Sequence, residues 1–481
     1  MIARSNSVLL FLLFAVLLSC SSGAYVSKPS PPSVRTTSVD QRSPEIAPRD
    51  SAPESRRPGR GPVSFQDHTA EIVQRAEILI ARNKREGAVL DQRWYGFRRF
   101  GNYQDLILGA GRVIVCGGLE ADVKKNLASE YAAIEPVEAD QDPGEIRLFE
   151  ARRPDHTWDF VIIAQNGREV VLKTVIRVLY LREFVSDDTR RKYAARLKSF
   201  PDSLRVLMSS YTPRQEFADF LMRHRISNPD VVLIGFMNDA NSILNQARIG
   251  SAKVYSDESL RLTSHETRDG KKILAVSING NRIFASRAGD FVSALLDVSQ
   301  QRPPAVIFFG SAGAVEDPNL VWKIATPVSV RSGDTFVQTD RRGELIYIIP
   351  NKAADSRRAR TAHASVESVV IETTEWAKRA RSLGIKTADQ ELLHVVEAIN
   401  SSRYAPGVEM FAGVLVTDDI SSKPSAGLTL EQAEETISEA VDIRREFLSE
   451  MLTRVGVLKS GAPASERRRD AETSTPAAAN Q

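Results

Sequence analysis

The segment Ala305–Ala314 reads AVIFFGSAGA and decides the fold class of the C-terminal half of this chain. Its first five residues are apolar, which is typical of a strand buried on both faces. Its glycine-rich end indicates a place where the backbone closely approaches a neighbour or a ligand. Along the chain, helical patterns alternate with further short apolar segments at 231–234, 385–388 and 414–416. This alternation predicts an α/β fold, with a mixed sheet covered by helices over residues 228–458.

Four segments of this region resemble the nucleoside phosphorylase and nucleosidase superfamily, in the same order. Residues 232–237 read VLIGFM and resemble the opening strand and its G-A-M turn. Residues 305–314 resemble the V-I-x-x-G-[ST]-A-G-G strand and turn of the superfamily. Residues 388–391 read ADQE and resemble V-D-M-E, and residues 414–418 read VLVTD and resemble I-x-V-S-D. The resemblance covers residues 228–458 and implies a phosphorylase-like mixed sheet flanked by helices.

The resemblance implies a pocket for the N-glycosidic bond of a nucleoside. When that bond breaks, the sugar gains positive charge and the base leaves once a ring nitrogen is protonated. A buried carboxylic acid suits this donation because burial raises its pKa. The resemblance places the proton donor at Asp418 and the carboxylate that binds the ribose hydroxyls at Glu391. An aspartate at a strand end also caps turns, and a glutamate at a helix start also suits the helix dipole, so both structural roles stay open.

Backbone and apolar positions complete the site that the resemblance implies. Gly310, Ser311 and Gly313 let the chain pass close to the sugar or the attacking group, and Val369 falls where a residue packs against the base. The expected partner is a nucleoside-like small molecule, such as a purine nucleoside or a 5′-thio-substituted one. No cofactor and no metal are expected. Because superfamily members usually oligomerise, the resemblance also implies a homodimer.

Two departures from the pattern bear on catalysis. Hydrolytic members carry a carboxylate that activates water just after the G-A-M turn, and Ala240 holds the matching position here. Its neighbour Asp239 can replace that carboxylate in the ligand site only if the loop is reshaped, because adjacent side chains point in different directions. No set of arginines and glycines matches a phosphate pocket. Three hypotheses follow: a divergent nucleosidase, a phosphorylase, which ranks lower, and an inactive module that binds a nucleoside or a protein.

Residues 65–227 are predicted to form a smaller Rossmann-like α/β domain with connecting helices. Arg112–Cys116 reads RVIVC, a buried type of strand, and a glycine pair and a helical stretch follow it. Trp158–Ala164 reads WDFVIIA and leads into a strongly apolar helix. This order predicts a parallel α/β unit. Residues 190–227 are predicted to be connecting helices interrupted by prolines.

The N-terminus reads as an export signal. Residues 8–18 form an unbroken apolar run, too short for a membrane-spanning helix but typical of a signal-peptide core. The run ends in Leu-Leu-Ser-Cys20, which resembles the lipobox of bacterial lipoproteins. The resemblance implies a signal peptide over 1–19 and a membrane anchor of several acyl chains on Cys20. Because residue 21 is serine rather than aspartate, it also implies a cell-envelope protein on the outer membrane, facing the periplasm, if the source is Gram-negative.

The segments at both ends have a composition typical of disorder. Residues 20–64 are rich in proline, serine and arginine and have few large apolar side chains. Such a segment buries too little surface to offset its ordering entropy, so we expect a disordered tether there. Residues 459–481 are similarly expected to form a disordered tail.

Charge and cysteine content exclude several classes of function. The 64 Lys and Arg nearly balance the 61 Asp and Glu, so electrostatics give no reason to expect nucleic acid as a partner. The two cysteines are Cys20 and Cys116, and lipidation of the first excludes an intramolecular disulfide. It also excludes a zinc site built from several thiolates. The six histidines are scattered without metal-binding spacing.

Overall fold

The computed structural model describes residues 63–86, 100–137, 146–183, 185–250, 252–278, 283–299, 304–315, 317–334, 346–368, 371–420 and 430–459, with side chains from 440 onward in the last range. The predicted signal peptide, Cys20, nearly all of the predicted tether, Val369 and the predicted tail beyond 459 lie outside these residues. Within the described ranges, no helix combines the length and the apolar character needed to cross a membrane.

The first sheet contains strands β1 (Phe65–Asp67), β2 (Val113–Gly117), β3 (Ala133–Pro136), β4 (Ile146–Arg152), β5 (Trp158–Ala164) and β6 (Leu204–Ser209). Its helices are α1 (Thr69–Glu86), α2 (Gln104–Gly109), α3 (Glu120–Leu127), α4 (Arg168–Leu181), α5 (Asp187–Lys192) and α6 (Ala194–Lys198), and the next helix, α7 (Pro213–Arg223), packs over the second sheet. The strand order is β1-β6-β2-β5-β4-β3, and β6, β2 and β5 are parallel. Apolar side chains of α1 and α4 pack against one face, and those of α3 pack against the other. The region therefore has the small α/β architecture that the sequence predicts.

Strand β6 corrects the prediction of connecting helices for this part of the chain. Leu204–Ser209 is a central strand that pairs in parallel with β2 along its length. Leu204 and Val206 are buried in the core beneath α1 and α4. The segment has few β-branched residues, and its strand conformation follows from burial in the sheet rather than from intrinsic propensity.

The second sheet contains β7 (Val231–Gly235), β8 (Lys253–Ser256), β9 (Arg261–Glu266), β10 (Lys272–Ser277), β11 (Ala305–Ala314), β12 (Ile324–Ser332), β13 (Tyr347–Ile348), β14 (Ala359–Ser365), β15 (Ile385–Asp389) and β16 (Met410–Asp419). Its helices are α8 (Met237–Gln246), α9 (Ser286–Val298), α10 (Thr374–Ser382), α11 (Leu392–Asn400) and α12 (Leu430–Arg454). The main path of strands is β13-β12-β14-β15-β11-β7-β10-β9-β8. Because β7, β10 and β11 are parallel while β9 is antiparallel to β10, the sheet is mixed, as predicted.

Five strands of this sheet close into a ring. Strand β16 pairs with β11 in parallel and with β12 in antiparallel, and β12 continues through β14 and β15 back to β11. Closure joins the edges of these strands, which leaves none of them exposed on that path. It also gathers the ends of β11, β14, β15 and β16 in one place.

Helices cover both faces of the second sheet. On one face, α7, α9 and α11 pack together over a core that includes Phe217 and Phe291. On the other face, α8 and α12 pack over a second core in which Phe309 contacts Phe447. The described residues of both sheets belong to one compact unit, and the division of the chain at residue 228 stays a prediction.

A glycine fixes the entry to α8. Gly235 ends β7 with a φ of 140°, and a Cβ there would overlap the carbonyl of Phe309 on the neighbouring strand. Both the backbone conformation and the close approach require glycine. These two requirements explain why the turn after β7 has a glycine at position 235.

Candidate functional site

Three strand ends meet at one end of the ring. In the register of the sheet, Gly313 of β11 pairs with Ala388 of β15 on one side and with Asp418 of β16 on the other. Neighbouring strands lie about 4.8 Å apart, so two such spacings separate the backbones of Ala388 and Asp418. Asp389 and Glu391 follow Ala388 directly. The fold therefore brings Glu391 and Asp418 to the same end of the ring.

The turn Asp389–Glu391 is buried between β15 and α11. The carboxylate of Asp389 accepts hydrogen bonds at 3.2 Å from the backbone N–H groups of Glu391 and Leu392. These N–H groups lie at the N-terminus of α11, where they have no partner within the helix. The side chain of Glu391 makes no capping hydrogen bond to this helix. Asp389 thus caps α11, while Glu391 lies at the N-cap position without a side-chain hydrogen bond to the helix, and its interaction with the helix dipole stays open.

Glu391 holds a carboxyl group in a buried, negatively charged setting. It is 7% exposed and accepts hydrogen bonds from the N–H groups of Ala285 at 3.4 Å and Gln390 at 3.3 Å. Burial, followed by the adjacent charge of Asp389, raises its pKa to about 7, although these N–H groups and Lys173 act in the opposite direction. Glu391 therefore changes its charge near neutral pH.

Asp418 lies at the exposed end of β16. Its Oδ1 accepts a hydrogen bond from the Thr417 hydroxyl at 2.9 Å. Although the side chain reaches solvent, the protein atoms around it desolvate the carboxyl group and raise its pKa, and the charge of Asp419 adds to this effect. The Thr417 hydrogen bond lowers the pKa in part. Asp418 is thus an acid whose neutral form is favoured by its surroundings and which solvent can reach.

The glycine-rich end of β11 makes room for the side chain of Asp418. A Cβ on Gly313 would overlap Ile420 and lie 3.3 Å from Asp418 Oδ2, so glycine makes room for both side chains. Gly310 is buried within β11, and Ser311 is exposed on the same strand. The structure therefore places Gly313 beside the predicted proton donor.

A third acid, Glu372, belongs to this group and was missed by sequence reasoning. It lies in the segment between β14 and α10 and is partly buried. Burial, then the charges of Asp418 and Asp389, raises its pKa well above the ordinary value for glutamate. Glu372 therefore interacts electrostatically with Asp389 at the end of β15 and with Asp418 at the end of β16. In the sequence, the feature that could have drawn attention to Glu372 is its position directly before Thr373, whose hydroxyl caps α10.

Asp239 and Ala240 lie in a different environment. Asp239 is held by Arg444 Nε at 2.6 Å and lies 3.8 Å from Arg445 Nε, both on α12. Ala240 is fully buried in the apolar core between α8 and the sheet. The carboxylate of Asp239 is thus committed to an ion pair with α12, and its predicted role in the ligand site stays a prediction.

Helices of the first sheet border the acidic group. Lys173 of α4 lies with its Nζ 4.0 Å from the centre of the Phe284 ring, and the Ser286 hydroxyl donates to Glu169 of the same helix. Phe284 and Ile420 share one apolar core with α1 and α4. Packed hydrocarbon therefore fills part of the space around Glu391, and the exposed side of the group is the one at Asp418.

Comparisons with known proteins give similarity at the level of solved structures. Comparison with protein-family models and with curated proteins finds no match. The structure is similar to futalosine hydrolase of Helicobacter pylori, with 10% identity, a TM-score of 0.35, and coverage of 47% of this chain and 98% of that one. It is also similar to 5′-methylthioadenosine/S-adenosyl homocysteine nucleosidase of Campylobacter jejuni, with 12% identity, a TM-score of 0.34, and coverage of 46% and 98%. A third is a methylthioadenosine phosphorylase from an Antarctic soil metagenomic library, with 12% identity, a TM-score of 0.35, and coverage of 47% and 88%.

Proposed function

We propose that the acidic group at the ends of β15 and β16 binds a nucleoside and cleaves its N-glycosidic bond. The observation that carries this proposal is that Ala388, three residues before Glu391, and Asp418 pair with Gly313 from opposite sides, with the pKa values of the Glu391 and Asp418 carboxyl groups raised. In this arrangement a carboxyl group with a raised pKa and a second one that ionises near neutral pH are available at the same end of the ring. That pairing matches what cleavage needs, because one group must give a proton while the other stabilises a cation.

The proposed step divides the work between these two residues. Asp418, in its neutral form, donates its proton to a ring nitrogen of the base. The bond between that base and the sugar then breaks, and its electron pair leaves with the base. Glu391, in its ionised form, accepts hydrogen bonds from the ribose hydroxyls and stabilises the positive charge on the sugar. Water adds to the anomeric carbon and releases a proton, which restores the acid.

A second candidate is a domain that binds a nucleoside without cleaving it. It is favoured by Ala240 and Asp239, since the first is buried in the core and the second is paired with Arg444. Neither supplies a carboxylate that activates water at the position the resemblance implies. Under this alternative, Asp418 and Glu391 recognise the ligand, and no bond is broken.

Nucleosides from a broad panel, including adenosine, inosine and 5′-methylthioadenosine, distinguish the two candidates. The panel is offered with and without phosphate, and released base is measured by chromatography while thermal stability is measured in parallel. Cleavage predicts released base that Asp418→Asn abolishes without unfolding the protein. Asp188→Asn, a change at an aspartate that is 90% exposed, is the matched control and should leave the rate unchanged.

The results of this experiment distinguish cleavage from binding alone. Stabilisation by a nucleoside without any released base supports the binding domain, because a ligand that binds only the folded state raises its stability. Neither product nor stabilisation with any member of the panel would refute both candidates. Product that depends on phosphate would identify the reaction as phosphorolysis rather than hydrolysis.

We also propose that the chain is exported and anchored to a membrane through Cys20. The support is the apolar run and the Leu-Leu-Ser-Cys20 sequence, which lie outside the described residues. Metabolic labelling with an alkyne fatty acid should mark the wild-type protein and the Cys116→Ser variant but not the Cys20→Ser variant. Labelling that survives Cys20→Ser would refute the anchor.

A further inference from the structure

A buried chain of polar side chains lies behind the acidic group, on β14 and β15. His363 is fully buried, and its Nε2 lies 2.9 Å from Asp389 Oδ1, although the N–H is poorly aligned with that oxygen. Its Nδ1 lies 2.9 Å from the Thr387 hydroxyl, which in turn lies 3.2 Å from the Thr361 hydroxyl. The Ser365 hydroxyl donates to Asp389 Oδ1 at 2.6 Å. All of these residues are enclosed, so the carboxylate of Asp389 depends on them rather than on water.

The contacts of His363 define what it offers to Asp389. A neutral imidazole has one N–H and one lone pair, and the tautomer is set by the partners of the two nitrogens. If the lone pair faced Asp389, it would repel the carboxylate across 2.9 Å. The N–H therefore lies on Nε2, and the Thr387 hydroxyl can donate to Nδ1. Ser365 donates a hydrogen bond to Asp389, and the imidazole of His363 lies against the same carboxyl group, in a place that water does not reach.

The charge of Asp389 acts on the acids in front of it. It raises the pKa values of Glu391 and Glu372, and it contributes to a raised pKa at His394 on α11. From the first sheet, Lys173 acts on Glu391 in the opposite sense. Among the described residues, the titratable groups around this site are His363, Glu391, Glu372, Asp418, His394, Glu397, Lys173 and Glu169.

We propose that His363 is a positioning residue of the acidic site: by lying against the carboxyl group of Asp389, it fixes the turn that carries Glu391 and keeps Asp389 beside it. The same carboxylate binds the N-terminus of α11, so one residue couples the position of Glu391 to its proton affinity. The consequence for a ligand rests on the proposed function, because the ionised form of Glu391 is the one that binds ribose hydroxyls there. His363 touches no reacting atom in this scheme.

The titration of Glu391 in the full chain tests this role without any ligand. It is read from the difference in unfolding free energy between a protein and its Glu391→Gln derivative, measured in urea over a range of pH. In the wild-type background the midpoint is expected at about 7. Asp389→Asn removes the neighbouring charge and should lower the midpoint by about one pH unit or more.

Variants of His363 separate positioning from packing. His363→Leu removes the polar ring that holds Asp389 in place, so the influence of Asp389 on Glu391 weakens and the midpoint should fall as it does in Asp389→Asn. His363→Gln keeps an N–H donor and should hold the midpoint near the wild-type value. His265→Leu is the matched control, since His265 is a fully buried histidine on β9 bound to Asn241, and it should leave the midpoint unchanged.

A second donor keeps the proposal testable if His363→Leu does not fold. Ser365→Ala removes the hydroxyl that donates a hydrogen bond to Asp389 and should also lower the midpoint, by a smaller amount. A midpoint unchanged in Asp389→Asn and Ser365→Ala, and in His363→Leu where it folds, would overturn the proposal, even if stability falls equally at every pH. Binding of the nucleoside panel is measured separately: a shifted midpoint in a protein that binds and cleaves no member of the panel supports the positioning role while contradicting the proposed function.

Discussion

Replacing Glu391 with glutamine should make the protein more stable at alkaline pH. The carboxyl group has a pKa of about 7 in the folded protein against an ordinary value of 4.5. Between these values the unfolded chain releases a proton that the folded chain keeps, so the free energy of unfolding falls as the pH rises through this window. Each pKa unit corresponds to about 1.4 kcal/mol, so the difference is worth about 3 kcal/mol above pH 7. Glutamine keeps the shape and the oxygen that faces the Ala285 N–H, and it carries no charge.

Urea unfolding of the wild type and of Glu391→Gln at pH 4 and pH 8 measures this effect. The two proteins should have similar stability at pH 4, where both side chains are neutral, and should differ by about 3 kcal/mol in favour of the variant at pH 8. Glu409→Gln, at an exposed glutamate, is the matched control and should show no such difference. A variant that is equally or less stable than the wild type at pH 8 would contradict the burial of a charged Glu391.

Three further predictions concern the framework around the site. Arg287→Met should destabilise the protein by about 3–5 kcal/mol in urea unfolding, because Arg287 and Glu216 are buried together 3.4 Å apart and the change leaves Glu216 without its cation. Adding Glu216→Gln should restore part of this loss. A loss under about 1 kcal/mol would refute the prediction. Gly235→Ala should lower the melting temperature sharply, because the new Cβ would overlap the carbonyl of Phe309. Gly384 also has a positive φ, of 73°, but no atom lies within 4 Å of its Cβ position, so Gly384→Ala should cost only about 1 kcal/mol. Equal effects of the two changes would contradict the overlap at Gly235. In a Cys20→Ser chain, Cys116 should resist a thiol reagent until the protein unfolds, since burial raises its pKa to about 12, and fast labelling of the folded protein would refute its burial.

The architecture was predictable where burial leaves a strong pattern. Ala305–Ala314 is a strand in the centre of the second sheet, and its apolar residues are buried as its composition indicates. The ring closure was not predictable, because β12 and β14 carry polar residues such as Thr326 and Thr361 that are nevertheless fully buried. Such residues read as exposed in a single sequence, and only their partners in the ring explain their burial. The strand β6 was missed for a related reason, because its conformation depends on β2 and not on its own residues.

The strands that carry the predicted site residues were predictable, and the electrostatics around those residues was not. Ala388 and Asp418 flank Gly313 because β15 and β16 both pair with β11, and the roles of Glu391 and Asp418 stay predictions. The roles of Glu372 and His363 depend on contacts between segments that no spacing along the chain encodes. Asp389 lay within a quoted motif, yet its capping role became visible only with the hydrogen bonds to α11.

Ala240 belongs to the packed core beneath α8. Ala240 lies in the core between α8 and the sheet, so a glutamate there would have to leave its carboxylate in hydrocarbon or displace α8. The adjacent Asp239 already binds Arg444 of α12, which ties the two helices together. If this domain cleaves its ligand, the water must therefore be activated by a group other than the side chain at position 240. Glu391, with a pKa of about 7, keeps the role of stabilising the cationic sugar in the proposed step.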